Sequence, residues 1–402
     1  MPAWRDVVRG PWRAVPVLGV TQILAWGALF YPPVLTVPLI AADRGWSAAF
    51  TMGGFSLGLL VAGLVSPRIG ATIDRYGGHR VMPIGSLAGA IGLVALTYAE
   101  HPLAYLAVWT LIGAAMAASL YDPAFATLGR IFGTGARPAI TALTLAGGFA
   151  STVSWPVTHV LIDAIGWRGT YLVYAALLAG VAAPLHAFAL PRTRAEPLPQ
   201  ARQTTDTPTP AVLPAKGLAF ALVATAFAAY AFVPSGLAAH LLAIFQRFGL
   251  EPGTVVAIGA LFGPSQVAAR LIEFLFARNV HPLVIARFAV CVLVLAFLGL
   301  AVFGLSVAVA AMFAIMFGAA NGLITIARGT VPLALFGASG YGRLIGRIAG
   351  PFLVIQAVAP LVLAFVAERQ SDVAALTVTA AFAVVALVCL ALIRRPQERR
   401  LS

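Results

Sequence analysis

Charged residues are scarce in this sequence. Only 10% of the 402 residues are Asp, Glu, Lys or Arg, whereas 61% are hydrophobic. A soluble domain usually carries about a quarter charged residues, so the composition argues against a soluble globular protein. Apolar runs of about 20 residues, each long enough to cross roughly 30 Å of hydrocarbon, recur along the chain. The sequence therefore predicts a polytopic membrane protein without a separate soluble domain.

Several kinds of functional site are missing from the sequence. We find no nucleophile–base set, no cluster of residues at metal-ligand spacing, and no phosphate-binding loop. These absences argue against an enzyme, against transport driven by ATP within this chain, and against a bound metal or cofactor. The two cysteines, Cys291 and Cys389, lie in apolar runs and are expected to pack as small core residues.

Acidic residues are also few, 13 against 26 lysines and arginines, which gives a formal net charge of +13. In a soluble chain such a charge suggests a nucleic-acid partner. Here most basic residues fall in loops on one side of the predicted helices, whereas the acids occur on both sides. This asymmetry follows the positive-inside rule. We therefore expect both termini in the cytoplasm, an inner (plasma) membrane location, contacts with lipid, and no nucleic-acid partner.

Twelve transmembrane helices are predicted from the apolar runs, which are too long and too uniformly apolar for barrel strands. The segment 191–216 is rich in proline and polar residues, a composition typical of an extended linker. It divides the chain into two six-helix bundles, 1–190 and 217–402. The predicted helices are 13–40, 46–73, 79–99, 102–132, 137–164, 168–190, 217–247, 252–277, 281–304, 306–336, 341–367 and 372–394.

The two halves show weak internal similarity. Adding roughly 202–204 to a residue number leads from Trp26 to Tyr230 and from Phe132 to Phe336. Two six-helix repeats joined by a linker are an arrangement that secondary transporters use for alternating access.

The stretch between the second and third predicted helices carries the most specific motif. It contains Gly70, Asp74 and Arg75, followed by Gly77-Gly78-His79-Arg80. Gly77 and Gly78 can supply positive φ for a tight turn, and the charged residues lie where water and lipid headgroups become available. This spacing closely resembles the loop between helices two and three of the major facilitator superfamily, with His79 where the family usually has Arg or Lys.

Further motifs make the chain similar to one branch of that superfamily, the bacterial oxalate–formate antiporters and monocarboxylate transporters. Two departures are evident. The acid-glycine-rich start of helix one is replaced by Arg9-Gly10-Pro11-Trp12, and Trp155-Pro156 replaces the Gly-Pro typical of drug–proton antiporters. The second departure argues against multidrug efflux. The motifs are Gly45-Trp46-Ser47, Tyr121-Asp122-Pro123-Ala124-Phe125, Arg130-Ile131-Phe132, Gly147-Gly148-Phe149 and Ile165-Gly166-Trp167-Arg168-Gly169-Thr170-Tyr171-Leu172.

Charges within the predicted helices are the candidates for a binding site. In the superfamily, helices one, four, seven and ten line the central cavity, and helices two, five, eight and eleven border it. Asp122, Arg270 and Arg328 fall in helices four, eight and ten. Each buried Arg costs on the order of 2.5–3.5 kcal/mol unless a partner offsets it. Two arginines in one cavity repel each other unless an anion lies between them, and a guanidinium matches a carboxylate bidentately. We predict an organic-anion site built on Arg270 and Arg328.

Alternatives remain open for each of these residues. Arg270 could instead bond helix carbonyls or Glu273, three residues later. Asp122 could pair with Arg328 and latch the cytoplasmic side, in which case it carries no proton; it could carry a proton if unpaired; or it could bond a nearby hydroxyl. Monocarboxylate carriers often have an acid where this chain has Gln266, which argues against proton coupling through helix eight.

Other residues are assigned by their predicted helix or by the resemblance. In the superfamily, the acid at the position of Asp74 holds helix two against the start of helix eleven and the end of helix four. In this chain the start of helix eleven is Gly340–Gly342. Beyond the two arginines, the expected substrate-binding residues are Gln22, Trp26, Tyr31, Tyr121, Tyr230 and Gln266. The expected coupling or gating residues are Asp122, Asp74, Arg75, Arg80, Arg130, Gly70 and Gly77.

The sequence as a whole indicates an all-α membrane protein that works as a monomeric secondary transporter. We expect it to move a small organic anion, a carboxylate, by alternating access. The alternative is proton-coupled efflux of a drug or neutral metabolite with Asp122 as the proton carrier.

Overall fold

The computed structural model describes residues 10–192 and 217–394, and their regular structure is helical throughout. The N-terminal half contains α1 (Ala14–Leu29, continuing as Pro33–Arg44), α2 (Ala48–Tyr76), α3 (Gly78–Tyr98), α4 (Pro102–Ser119, continuing as Tyr121–Phe132), α5 (Arg137–Gly147, continuing as 150–165) and α6 (167–189). The C-terminal half contains α7 (Leu218–Arg247), α8 (Pro252–Ala260, continuing as Phe262–Phe276), α9 (Pro282–Phe303), α10 (Val307–Phe336), α11 (Tyr341–Arg369) and α12 (Asp372–Leu392).

These helices give twelve membrane spans. Ten stretches of the described chain are long and apolar enough to cross a bilayer, and the longest, Pro102–Ala189, has 88 residues. That stretch holds α4, α5 and α6, because a short turn at Gly133–Ala136 and a left-handed Gly166 (φ 70°) interrupt it. The predicted fold class is confirmed. The predicted linker 191–216 lies outside the described residues, apart from Pro191 and Arg192.

Four helices that the sequence predicts as continuous are interrupted midway, and one of them is α5, at residues 148–149. α1 breaks around Tyr31, just before Pro32-Pro33, and α8 breaks at Leu261. α4 breaks at Leu120, whose backbone is extended. Proline lacks an N–H and clashes with the preceding turn, which accounts for the first break and contributes to the break in α4, where Pro123 follows.

The two halves repeat one another at their outer ends, away from the α2–α3 turn. Asp43 at the end of α1 pairs with Arg168 at the start of α6, at 2.7 Å. Arg247 at the end of α7 pairs with Asp372 at the start of α12, also at 2.7 Å. Adding 204 to 43 and to 168 gives 247 and 372, so the two ion pairs occupy equivalent positions with their charges exchanged. This contact supports the internal repeat that the sequence suggested.

α2 of the first half packs against α11 of the second along a seam of glycines. A Cβ on Gly70 would collide with the backbone of Gly342, and a Cβ on Gly346 would collide with the backbone of Ser66. Such close approach of two backbones requires residues without side chains. The seam runs toward the end of the bundle where α2, α4, α8 and α10 finish, which we call the basic end.

Candidate functional site

Arg270 on α8 lies at the interface between the two halves and is 2% exposed. Its guanidinium donates to the carbonyls of Thr144 (2.7 Å) and Gly322 (3.3 Å), to Oε1 of Gln266 (2.5 Å) and to Oγ1 of Thr325 (3.3 Å). All four acceptors are neutral. Within the described part of the chain, Arg270 has no carboxylate partner in a hydrogen bond or ion pair. Its positive charge is therefore solvated by dipoles alone.

Three tyrosines surround this guanidinium, and all three were predicted to line the cavity. Tyr31, Tyr121 and Tyr230 each lie close enough to interact electrostatically with Arg270. Tyr230 on α7 donates its hydroxyl to Oδ1 of Asn321, at 3.0 Å. Helices from both halves thus place neutral hydroxyl groups around one buried cation.

Arg328 on α10 has a different environment. Its Nη2 lies 3.0 Å from Oδ1 of Asp122 on α4, and both side chains are largely buried, at 9% and 12% exposure. The guanidinium also stacks over the ring of Phe352, 4.3 Å from the ring centroid. This ion pair joins α4 of the first half to α10 of the second.

The predicted site of two free arginines is therefore not formed in this conformation. Arg328 is held by Asp122, because a buried guanidinium needs a compensating charge and the carboxylate of α4 supplies it. Glu273, the expected alternative partner of Arg270, instead pairs with Arg137 at 2.8 Å. Of the two arginines, Arg270 is the one without a counter-charge among the described residues.

Gln22 and Trp26 lie beside this site on α1. The indole Nε1 of Trp26 donates to Oε1 of Gln22, at 3.1 Å, and the Trp26 ring contacts the rings of Tyr121 and Tyr31 at centroid distances of 5.1 and 5.9 Å. Gln22 is fully buried, and its Nε2 donates to the carbonyl of Ser119, at 2.7 Å. Both ends of the Gln22 amide are occupied by protein groups, so in this conformation it is not available to a substrate.

Asp74 joins α2 to the start of α11 at the basic end. Its two carboxylate oxygens accept hydrogen bonds from the backbone amides of Gly342 and Arg343, both at 2.8 Å. The first amides of a helix have no partner within the helix, and the helix dipole favours a negative charge there. Arg130 at the end of α4 donates to the backbone carbonyl of Asp74.

The remaining predicted gating residues lie around this contact. Gly70 is at the close approach of α2 and α11, and Gly77 adopts a left-handed φ of 85° in the turn between α2 and α3. Arg75 and Arg80 are exposed, and Arg75 lies over the ring of Tyr76. These two arginines stand at the basic end and not in the gate contact.

Arg137 forms an equivalent contact on the other side of the interface, and the sequence analysis did not identify it. From the start of α5 it donates to Glu273, to the carbonyl of Ala277 (2.9 Å) and to the carbonyl of Val280 (2.5 Å). These acceptors lie at or beyond the end of α8. The internal repeat was the available signal, since 137 plus 204 gives 341, the start of the helix that Asp74 contacts.

The contacts of Asp74, Arg137, Arg270 and Asp122 link the two halves in the part of the bundle nearest the basic end. Three neutral residues near Arg270 were also not predicted from the sequence: Thr144, Asn321 and Thr325. They have no distinguishing pattern in an apolar sequence.

Because the contacts of Asp74, Arg137, Arg270 and Asp122 join the two halves near the basic end, the basic end is closed in the conformation described here.

Comparison with known proteins agrees with this architecture. The family model of the Major Facilitator Superfamily matches residues 17–332. The chain belongs to this superfamily. The structure is similar to that of the human organic anion transporter MFSD10 (TETRAN), with a TM-score of 0.71 over 97% of this chain and 100% of that one. At 18% sequence identity this likeness shows the fold.

Relatives by sequence within the superfamily include several monocarboxylate transporters. Monocarboxylate transporter 3 of Rattus norvegicus is 29% identical over 174 residues, which cover 42% of this chain and 35% of the relative. Monocarboxylate transporter 11 of Mus musculus is 31% identical over 144 residues, or 36% of this chain and 32% of the relative. The matched segment thus spans about a third of each relative's length. The chain is a membrane transporter that resembles this branch, and not an enzyme.

Proposed function

We propose that this transporter carries a small organic anion, a carboxylate, by alternating access, with Arg270 as its anion-binding group. The single observation that carries the proposal is the environment of Arg270, which is buried and bonded to neutral acceptors alone. A buried charge without a counter-charge is destabilising by several kcal/mol in order of magnitude. A carboxylate would supply the missing charge and match the planar guanidinium with two parallel hydrogen bonds.

Arg328 acts with Asp122 as a latch in this proposal. The ion pair connects α4 to α10, which belong to different halves, so it is present when the basic end is closed. Separation of the halves at that end breaks the pair and exposes both groups to water. The anion then encounters a second guanidinium only in the open state.

The ion pair also supports anion transport over the alternative of proton-coupled efflux. A nearby guanidinium favours the charged form of a carboxylate, which argues against the use of that carboxylate as a proton carrier. The efflux alternative required Asp122 to stand alone in apolar surroundings, whereas it lies 3.0 Å from Arg328.

The relatives point in the same direction. Two of the proteins that this chain resembles in sequence are named monocarboxylate transporters, and a protein of the same fold is named an organic anion transporter. Their names add weight to a carboxylate as the cargo without identifying it. From the distribution of Lys and Arg, we place the basic end in the cytoplasm of an inner (plasma) membrane.

A thermal-shift screen of the purified protein tests the proposal. We expect small carboxylates to raise the melting temperature of the wild type and to leave the Arg270→Gln variant unchanged. Arg68→Gln is the matched control, because Arg68 lies in α2 but is exposed; it should respond like the wild type. Stabilisation by lipophilic cations and not by carboxylates would contradict the assignment of the cargo.

A further inference from the structure

At the break in α4, Pro123 deprives a backbone carbonyl of its helical partner. In a continuous helix, the carbonyl of Ser119 would accept from the amide of residue 123, but that residue is Pro123, which has no N–H. Leu120, with φ −83° and ψ −158°, directs the chain out of the helix at this point. Ser119 is fully buried, and an unpaired carbonyl within the membrane is strongly disfavoured. The local sequence therefore requires a donor from another helix.

Gln22 on α1 supplies that donor. Its Nε2 lies 2.7 Å from the carbonyl oxygen of Ser119, and both residues are fully buried. The other end of the amide, Oε1, accepts from Nε1 of Trp26 at 3.1 Å. Gln22 thus connects an aromatic ring beside the candidate anion site to the carbonyl at the break.

The break decides where two functional side chains lie. The helical segment that follows it begins with Tyr121 and Asp122. Tyr121 lies beside Arg270, and Asp122 pairs with Arg328. Asp122 is in the first turn of this segment, where the helix dipole favours a negative charge. A change in the geometry of the break would move both groups together.

We propose that Gln22 is a positioning residue that clamps the α4 break and transmits displacement of Trp26 to the Asp122–Arg328 latch. A substrate that shifts the Trp26 ring pulls on Oε1 of Gln22, and the amide in turn pulls on the Ser119 carbonyl that fixes the start of the Asp122 segment. The transmission step rests on the proposed function, because it needs a substrate at Trp26. The clamp on the break does not.

A double-mutant cycle between Gln22→Met and Pro123→Ala tests the proposal. Methionine keeps the length of glutamine and loses both hydrogen bonds, whereas the Pro123→Ala change restores the backbone N–H that the Ser119 carbonyl lacks. In carboxylate uptake by proteoliposomes, Gln22→Met should lower the maximal rate at least about fivefold with KM changed less than about twofold. In the Pro123→Ala background, the same change should alter the rate less than about twofold. An equal loss in both backgrounds, or a rise in KM with an unchanged rate, would overturn the proposal in favour of direct substrate contact.

The same cycle measured by thermal unfolding, without substrate, separates the clamp from the cargo. If Gln22→Met lowers the melting temperature in the wild-type background and much less in the Pro123→Ala background, the clamp holds even if no carboxylate is transported. Equal shifts in both backgrounds would refute the clamp. Should Gln22→Met fail to fold, Gln22→Glu replaces it, because glutamate keeps the acceptor for Trp26 and loses the donor for Ser119; the same two outcomes then decide.

Discussion

Arg270 and Arg328 are two buried guanidiniums on helices α8 and α10 of the same half, and their partners differ in kind. Arg328 has a carboxylate, Asp122, at 3.0 Å and the face of Phe352 at 4.3 Å. Arg270 has two backbone carbonyls, one amide oxygen and one hydroxyl. The first charge is compensated within the protein, and the second is only solvated by dipoles. Burial of a charge alone therefore does not distinguish the two arginines; our proposal rests on the absence of a counter-charge for Arg270 among the described residues.

The contacts of Asp74 and Arg137, which we propose as gate contacts, show a related contrast. At one, the acid Asp74 accepts from the amides that begin α11; at the other, the base Arg137 donates to the carbonyls that end α8. Both contacts satisfy groups that a helix end leaves unpaired, but from opposite partners. The outer ion pairs Asp43–Arg168 and Arg247–Asp372 exchange their charges in the same way. The repeat keeps the position of an interaction in the fold while its chemistry is inverted.

The largest effect is expected from removal of the uncompensated charge. Arg270→Gln should reduce kcat/KM for the carboxylate roughly hundredfold, because the substrate loses a buried, hydrogen-bonded partner charge. Arg270→Lys keeps the charge but not the planar fork and should lose about tenfold. Uptake by proteoliposomes measures both. Equal activity of the Gln variant and the wild type would remove Arg270 from the site.

Breaking the ion pair between Asp122 and Arg328 should lower the stability of the protein. Asp122→Asn leaves Arg328 buried without a counter-charge and should destabilise the closed conformation by about 3 kcal/mol. The double variant Asp122→Asn/Arg328→Gln should be more stable than Asp122→Asn alone, since neither charge remains. Thermal unfolding of the three proteins compares them. A double variant less stable than the single one would show that the ion pair is not what connects these residues.

The same Asp122→Asn variant distinguishes the latch from a proton carrier. Since Asp122 is paired, we expect any pH dependence of uptake in the wild type to persist in the variant between about pH 6 and pH 8, with a lower rate throughout. Initial rates across this range, at saturating substrate, provide the measurement. Loss of the pH dependence in the variant would assign the proton to Asp122 and favour the efflux alternative.

The gate contacts should affect turnover more than affinity. Asp74→Ala removes two charge-assisted hydrogen bonds to α11 and should favour the state open at the basic end, with turnover reduced about tenfold and KM changed much less. Arg137→Ala should act in the same direction at the other contact. Distances between spin labels at the exposed positions Arg75 and Arg278 report the opening. Unchanged turnover and distances in both variants would exclude these residues from the gate.

The smallest effect is expected at the outer ends. Asp43→Asn and Asp372→Asn each break a partly exposed ion pair within one half and should lower stability by no more than about 1 kcal/mol. Melting temperatures close to the wild type, with transport retained, would agree with this. A loss as large as that of Asp122→Asn would mean that these surface pairs, and not the buried one, hold the helices.

Much of the fold could be predicted because each membrane span corresponds to a long apolar run in the sequence. The twelve predicted helices agree with the observed ones to within four residues at each end. The breaks at Leu120 and Leu261 were not predicted, because a change of backbone conformation at one residue leaves no mark in hydropathy. The position of a proline shows where a helix can break, but the compensating donor, Gln22, comes from another helix.

The members of the candidate site could be proposed from the sequence, whereas its pairings stayed open: the Asp122–Arg328 pair was one of several alternatives for Asp122. Arg270, Arg328 and Asp122 stood out because charges within apolar runs are rare. Which acid faces which arginine depends on how the two halves pack against each other, and hydropathy and charge patterns do not specify that packing. Arg137 was missed because it lies at the start of α5, at the basic end, where arginines are common, and its role emerges only from its contacts with the end of α8.

The most direct test is an experimental structure of the protein with a stabilising carboxylate bound. The account predicts that both carboxylate oxygens lie within hydrogen-bonding distance, about 3 Å, of the Arg270 guanidinium, with Tyr31, Tyr121 and Tyr230 around the ligand. A carboxylate bound elsewhere, with the Arg270 guanidinium still on Thr144, Gly322 and Gln266, would contradict it.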